Sequence, residues 1–187
     1  MQGCILVTKV DRLGLDANSR HHGGVRSARW PVRPPYLLGL LLGGRRVVVV
    51  GGGAVVQRRV PALLAAGAVV TVVAPEVTPR IRRMVARGEL AWVRRPYQPG
   101  DVAEAWYVLA ATDQPEVNAA VATEAEQQRT FCVRADQAAG GSAFTPASGE
   151  VDGVAVAVLA AAGPRRAAAV RDAVLHALTA RLGRRAA

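Results

Sequence analysis

Cysteine, lysine and aromatic side chains are all scarce in this chain, and each scarcity closes off a class of function. Cys4 and Cys132 are the two cysteines. They lie far apart and show no metal-ligand spacing, so no metal site is expected, and each reads as a buried or incidental thiol. Aromatic residues make up 4% of the sequence and are not interleaved with the arginines, which argues against stacking on single-stranded bases. No apolar run approaches the roughly 20 residues of a membrane span; Leu37 to Leu42 is too short. Without a signal-type cleavage pattern the expected location is cytoplasmic. Lys9 is the only lysine, so arginine carries almost all the positive charge behind the net +10. So basic a chain suits a polyanionic ligand, either nucleic acid or a polycarboxylate. The absence of any nucleic-acid reading motif disfavours the first.

What is abundant is organised. From Arg45 to Glu76 the sequence reads R-R-V-V-V-V-G-G-G-A-V-V-Q-R-R-V-P-A-L-L-A-A-G-A-V-V-T-V-V-A-P-E, which is the order of a strand, a glycine turn, a helix and a second strand ending in an acid. Val47 to Val50 form the β-branched run of a parallel strand buried on both faces. Gly51 and Gly53 fall where the chain must turn sharply and let its backbone approach a pyrophosphate. The helix from Ala54 presents free N–H groups and its positive dipole end to that phosphate. Gly67 closes the helix, and Val69 to Val73 make the second strand. Glu76 lies about 20 residues beyond the glycines, where a carboxylate accepts from ribose hydroxyls. The same charge repels a 2'-phosphate, which favours NAD over NADP. Val56 occupies the third glycine position, where close helix–strand packing normally wants a small residue. Pro61 is expected to kink the helix or remove one hydrogen bond.

The length of 187 residues fits one domain with an appendage. Residues 1–34 have no clear period and end in an Arg- and Pro-rich stretch, and they read as a disordered basic extension. Residues 35–147 read as the nucleotide-binding domain. A helix capped by Thr78, a short strand at Ala91 to Val93, a strand at Trp106 to Ala111, a helix at Val117 to Gln128 and a strand at Phe131 to Ala135 follow one another. Ala143 to Pro146 is expected to return along the sheet. Residues 148–187 read as one strand, Val151 to Ala160, and an amphipathic helix, Arg165 to Leu182. The predicted class is α/β, a Rossmann-like parallel sheet with a small C-terminal strand–helix appendage.

Four pieces recur in fixed order: V-V-G-G-G-x-V, A-A-T-D-x-x-x-V-N, F-C-x-x-x-D, and F-T-P-A at Phe144 to Ala147. In this combination, over about residues 36 to 175, the chain resembles the precorrin-2 dehydrogenase family, the NAD-dependent module of siroheme synthase. The resemblance implies oxidation of precorrin-2 to sirohydrochlorin with NAD, with ferrous iron insertion in some members. It places cofactor contacts on Gly51, Gly52, Gly53, Ala54, Val55, Pro75, Glu76, Thr112 and Asp113, and the essential aspartate on Asp136. A base at that point suits the chemistry, since dehydrogenation removes a hydride and a proton; a carboxylate there also serves to cap the next loop. His21, His22 and His176 have no partner that would make them convincing bases. The substrate is a polycarboxylate, so Arg134, Arg165 and Arg166 are candidates for holding it, against the reading of each as a solvated charge.

Three positions depart from the family pattern. Val133 stands where the family has Asn, D-Q-A-A-G-G-S lacks the family's proline, and Leu159 to Gly163 replaces a hydroxyl- and glycine-rich turn. The last change argues against metal insertion. A homodimer is expected through the last strand and helix. The alternative is a non-catalytic NAD-sensing regulatory module, which has no reason to retain F-C-x-x-x-D and F-T-P-A.

Overall fold

The computed structural model describes residues 34–182, with Leu182 defined by its backbone alone. Cys4, His21, His22 and the expected extension, apart from Pro34, lie outside the described residues. The chain forms two compact units that divide between Phe144 and Thr145.

The first unit is an α/β Rossmann-like sheet. Five strands, β1 (Arg46–Val50), β2 (Val69–Val73), β3 (Ala91–Val93), β4 (Tyr107–Ala110) and β5 (Phe131–Arg134), lie in the order β3-β2-β1-β4-β5 with every neighbouring pair parallel. Helices α1 (Ala54–Ala65), α2 (Pro79–Ala86) and α3 (Pro115–Gln127) connect them. Alternate residues of a strand face opposite sides, and β1 is apolar at both. Val47 and Val49 join one core cluster with Val56 and Val60 of α1 and Ile81 and Met84 of α2. Val48 and Val50 join the other with Val121 and Ala125 of α3. That is why the valine run shows no polar alternation. Val56, the residue at the third glycine position, is wholly buried in the first cluster.

Helix ends follow their sequence signals. Thr78 caps α2, its hydroxyl accepting from the Ile81 N–H at 3.4 Å. α1 runs through Pro61 and stops at Gly67, whose φ of +75° lets Ala68 N–H reach Leu63 O at 3.1 Å and Gly67 N–H reach Leu64 O at 2.9 Å, the paired closure that ends helices at a left-handed residue. The Pro-rich loop before β4 is pinned by Asp101, which accepts the Arg95 fork at 2.7 and 2.6 Å, and by Tyr97, which donates to Glu124.

The second unit corrects two expectations. Ala143 to Pro146 forms no strand; the Ser142 and Ala143 amides donate to Cys132 O of β5, and the next strand begins at Ala147. The single strand expected at Val151 to Ala160 is one arm of an antiparallel hairpin, β6 (Ala147–Val151) and β7 (Val154–Val158). Asp152 and Gly153, with φ of +50° and +72°, make the two-residue turn that favours Asp-Gly because both residues take positive φ. Helix α4 (Pro164–Leu182) packs on both strands. Gly149 permits the approach, since a Cβ there would come within 2.5 Å of Leu175 Cδ1. No helix among the described residues is long and apolar enough to cross a membrane.

Candidate functional site at the carboxyl edge of the sheet

The loops after β1, β2 and β4 leave the same edge of the sheet, on either side of the point where strand order reverses between β1 and β4. Open α/β sheets bind ligands at such a point. Backbone hydrogen bonds fuse these loops into one rim. Gly51 N–H donates to Val73 O at 2.9 Å, Thr78 N–H to Gly52 O at 3.0 Å and Ala111 N–H to Val50 O at 2.9 Å.

The three glycines do different things. Gly51 has φ +119°, and a Cβ on it would lie 2.4 Å from Ala111 O. Gly52 is the tightest: its Cβ would fall 1.9 Å from Glu76 O. Both are needed by neighbouring backbone. Gly53 is not, because a Cβ there would meet nothing within 4 Å. It is the residue before α1, with no side-chain cap and no acid in the first turn. The amides of Ala54 and Val55 therefore begin a helix whose dipole end is open to an anion. Pro75, Glu76 and Asp113 are exposed around this opening. An open glycine, an uncapped helix start and an exposed carboxylate fit a dinucleotide.

Behind the rim stands a polar cluster. Asn118, in the first turns of α3, is fully buried. Its Oδ1 accepts from Thr112 N–H at 3.0 Å and lies 2.8 Å from the Thr112 hydroxyl, and its Nδ2 donates to Thr112 O at 3.1 Å. Asp136, two residues past β5, receives Arg134 Nε at 3.2 Å and Arg134 Nη2 at 2.6 Å. Arg134 is 8% exposed and Asp136 23%. Nη2 also reaches Pro115 O at 3.4 Å, and Nη1 lies against Gly140, where a Cβ would be 2.8 Å away. The Arg134 guanidinium, above all, holds the Asp136 carboxyl below the usual carboxylate range, aided by a backbone N–H and by a hydrogen bond with Asn118. Asp136 is thus ionised at neutral pH. Burial pushes the Cys132 thiol up to about 11, so it remains protonated, as suits a buried thiol. Arg165 and Arg166 belong to the second unit, exposed in the first turn of α4. His176 is exposed on that helix.

A family model for NAD(P)-binding proteins, NAD_binding_7, matches residues 38–147, more than half of the chain. The chain belongs to this NAD(P)-binding family. Among relatives, "Siroheme synthase 3" of Aeromonas hydrophila subsp. hydrophila is 43% identical over 65 residues, and "Siroheme synthase 2" of Yersinia pestis bv. Antiqua is 46% identical over 66. Each alignment takes in 35% of this chain and 14% of the relative. The chain thus matches a small part of these longer proteins. A solved structure, "SirC, precorrin-2 dehydrogenase", superposes with a TM-score of 0.66 at 27% identity, over 75% of this chain and 69% of that one.

Within this NAD(P)-binding unit, Gly51, Gly52, Gly53, Ala54, Val55, Pro75, Glu76, Thr112 and Asp113 all fall on the rim or the helix it opens, and Arg134 and Asp136 form one pair. Asn118 carries no role in the sequence reading, although T-D-x-x-x-V-N contains it. A buried asparagine in the first turns of a helix, six residues after a strand-end threonine, is the signal that could have found it.

Two expectations follow. Gly52→Ala should cost roughly 2–3 kcal/mol, the range for overpacking against rigid neighbours, whereas Gly53→Val should hold stability to within about 1 kcal/mol yet lose dinucleotide binding. Thermal melts alongside cofactor titration separate them; a stable Gly52→Ala protein would refute the close approach.

The second concerns acid. Because pairing lowers the folded-state pKa of Asp136, its stabilising contribution is complete above the unfolded value of about 3.9 and disappears as pH falls through the lower folded value. Asp136→Asn should therefore melt below wild type at pH 7, with the gap closing under acid. A gap that stays constant down to acid pH would deny the pair a stabilising role.

Proposed function

We propose that this chain is an NAD-dependent dehydrogenase that oxidises precorrin-2 to sirohydrochlorin, acting in the cytoplasm. The observation that carries this reading is the link between the acid and the loop after β4 through Arg134, whose guanidinium pairs with Asp136 at 2.6 Å and reaches Pro115 O, at the start of α3, at 3.4 Å. A cofactor cleft that only bound and reported NAD would not need an ionised carboxylate tied to its edge. The siroheme synthase relatives and the precorrin-2 dehydrogenase structure support the same chemistry. The regulatory alternative draws no support from them.

On this reading Gly51, Gly52 and Gly53 with the Ala54 and Val55 amides hold the pyrophosphate, while Pro75 and Glu76 border the adenine-side ribose. Thr112 and Asp113 border the nicotinamide side. Bound there, NAD supplies the hydride acceptor. Asp136 takes the proton that must leave the same substrate, so the oxidation balances as one hydride and one proton lost. Arg134 orients that carboxylate and is the proposed partner of a substrate carboxylate. Arg165 and Arg166 sit where the helix dipole disfavours cations, which concentrates positive potential suited to further carboxylates. The hairpin and α4 supply a homodimer contact, since a two-stranded sheet is marginal by itself. The turn at Leu159 to Gly163 carries no hydroxyl, so iron insertion is weak or absent.

Incubating the protein with precorrin-2 and NAD and following sirohydrochlorin absorbance tests the assignment. Asp136→Asn should keep NAD affinity and lose roughly a hundredfold in turnover, the scale of lost general-base catalysis; undiminished turnover would remove Asp136 from the mechanism. Appearance of siroheme on adding ferrous iron to the wild type would overturn the reading of the turn.

Glu76 predicts cofactor choice. NAD should bind more tightly than NADP because the carboxylate accepts ribose hydroxyls and repels a phosphate. Calorimetric titration with both decides it, and tighter NADP binding would displace Glu76 from this role.

A further inference from the structure

The cofactor rim occupies the carboxyl edge of the sheet, and the opposite, amino edge carries a different kind of surface. Seven large apolar side chains stand exposed among the described residues. Every one belongs either to the lead-in before β1, from Tyr36 to Leu41, or to the start of β2, β4 or β5, at Val69, Trp106 and Phe131. Parallel strands bring those three starts to one edge, and backbone bonds tie two of them to the start of β1: Val69 N–H donates to Arg45 O and Trp106 N–H to Arg46 O, both at 2.9 Å. Leu42 is buried in the core and anchors the lead-in there. Leu40, Leu41, Trp106 and Phe131 then line an open groove of about 510 Å³. Trp106 is 58% exposed, and the Arg45 guanidinium lies over its ring at 4.0 Å.

Single exposed apolar residues need no explanation, but a monomer seldom gathers more than a few hundred Å² of them on one surface. At roughly 200 Å² for a large side chain, the seven, which are 39 to 88% exposed, present on the order of 800 Å² along this edge and its lead-in, about the share each partner gives to a standard interface. Two features select the partner. A contact about a two-fold axis sets a patch against itself, so the patch must hold both a recess and a projection, and charges of both signs. Leu41, 84% exposed, projects beside the groove. Glu104 and Arg129 line the same groove, both exposed and without an ion-pair partner among the described residues.

We propose that the amino edge is a self-association surface on which a second copy of this chain docks, Leu41 of each copy entering the groove of the other and Glu104 of each facing Arg129 of the other. Trp106, with Arg45 stacked on it, is the anchor at its centre, since tryptophan and arginine are the residue types that dominate such contacts. The surface is separate from the hairpin and α4 contact and does not rest on the dehydrogenase reading. With both contacts made, the closed assembly is a tetramer.

Light scattering on the full chain over a series of concentrations tests it. Leu41→Asp should halve the assembly mass with the circular dichroism spectrum unchanged, because exposed substitutions seldom unfold a domain. Trp106→Ala should weaken association roughly thirtyfold or more, the scale of a truncated interface anchor. Glu104→Arg sets arginine against arginine and Arg129→Glu sets glutamate against glutamate, so each variant alone should also lose half its mass. An equimolar mixture of these two should regain it, since every contact between unlike copies then joins opposite charges; a contact with some other protein cannot produce that recovery. A mass that no variant lowers, or a mixture no heavier than its parts, would overturn the proposal and leave the surface to residues 1–33, which join it at Pro34, or to a different protein.

Discussion

The carboxyl edge of this sheet depends on a missing atom. The backbone at Gly52 comes so near the Glu76 carbonyl that a Cβ would sit 1.9 Å from its oxygen, and Gly51 is held almost as tightly against Ala111. Only with both positions bare can the loops after β1, β2 and β4 close on one another and exchange the hydrogen bonds that join them. From that closure follow the exposed Gly53, the open start of α1, and the placement of Glu76 and Thr112 on one rim. Glycine is usually credited here with making space for a phosphate; two of these three glycines make space for the protein.

The same division explains which parts of the molecule were legible in the sequence. Val47 to Val50 spoke plainly, because a strand buried on both faces needs no polar alternation, and the two core clusters divide its valines as the period of two requires. Helix ends were equally readable at Thr78 and Gly67, where local chemistry decides the conformation. The hairpin was not. Val151 to Ala160 alternates as a single strand would, and the Asp152-Gly153 turn near its start splits it from β6. Ala143 to Pro146 forms no strand, although the chain meets the edge of the sheet as it enters this segment, where the Ser142 and Ala143 amides both donate to Cys132 O.

Asn118 and Arg134 were illegible for another reason. A polar residue's partner is fixed by tertiary proximity and not by spacing, so Asn118 reads in sequence as an ordinary helix residue. Arg134 stands in the sequence as a candidate for holding a substrate carboxylate, yet a guanidinium at 8% exposure cannot remain buried without a counter-charge. Its fork is met by Asp136, and Nη1 lies against Gly140.

That pairing constrains the proposed chemistry. A carboxylate held below its usual range by a guanidinium is a weak base, and a weak base would be poorly suited to pulling a proton from neutral carbon before anything else has happened. Removal of hydride changes the demand, because the substrate left behind is cationic and far more acidic at the neighbouring position. A fixed, ionised and weakly basic Asp136 is then sufficient to collect the proton, and its negative charge stabilises the positive charge developing beside it as hydride departs. Position and charge matter more than proton affinity in such a sequence, which is what a carboxylate clamped by Arg134 is built to supply.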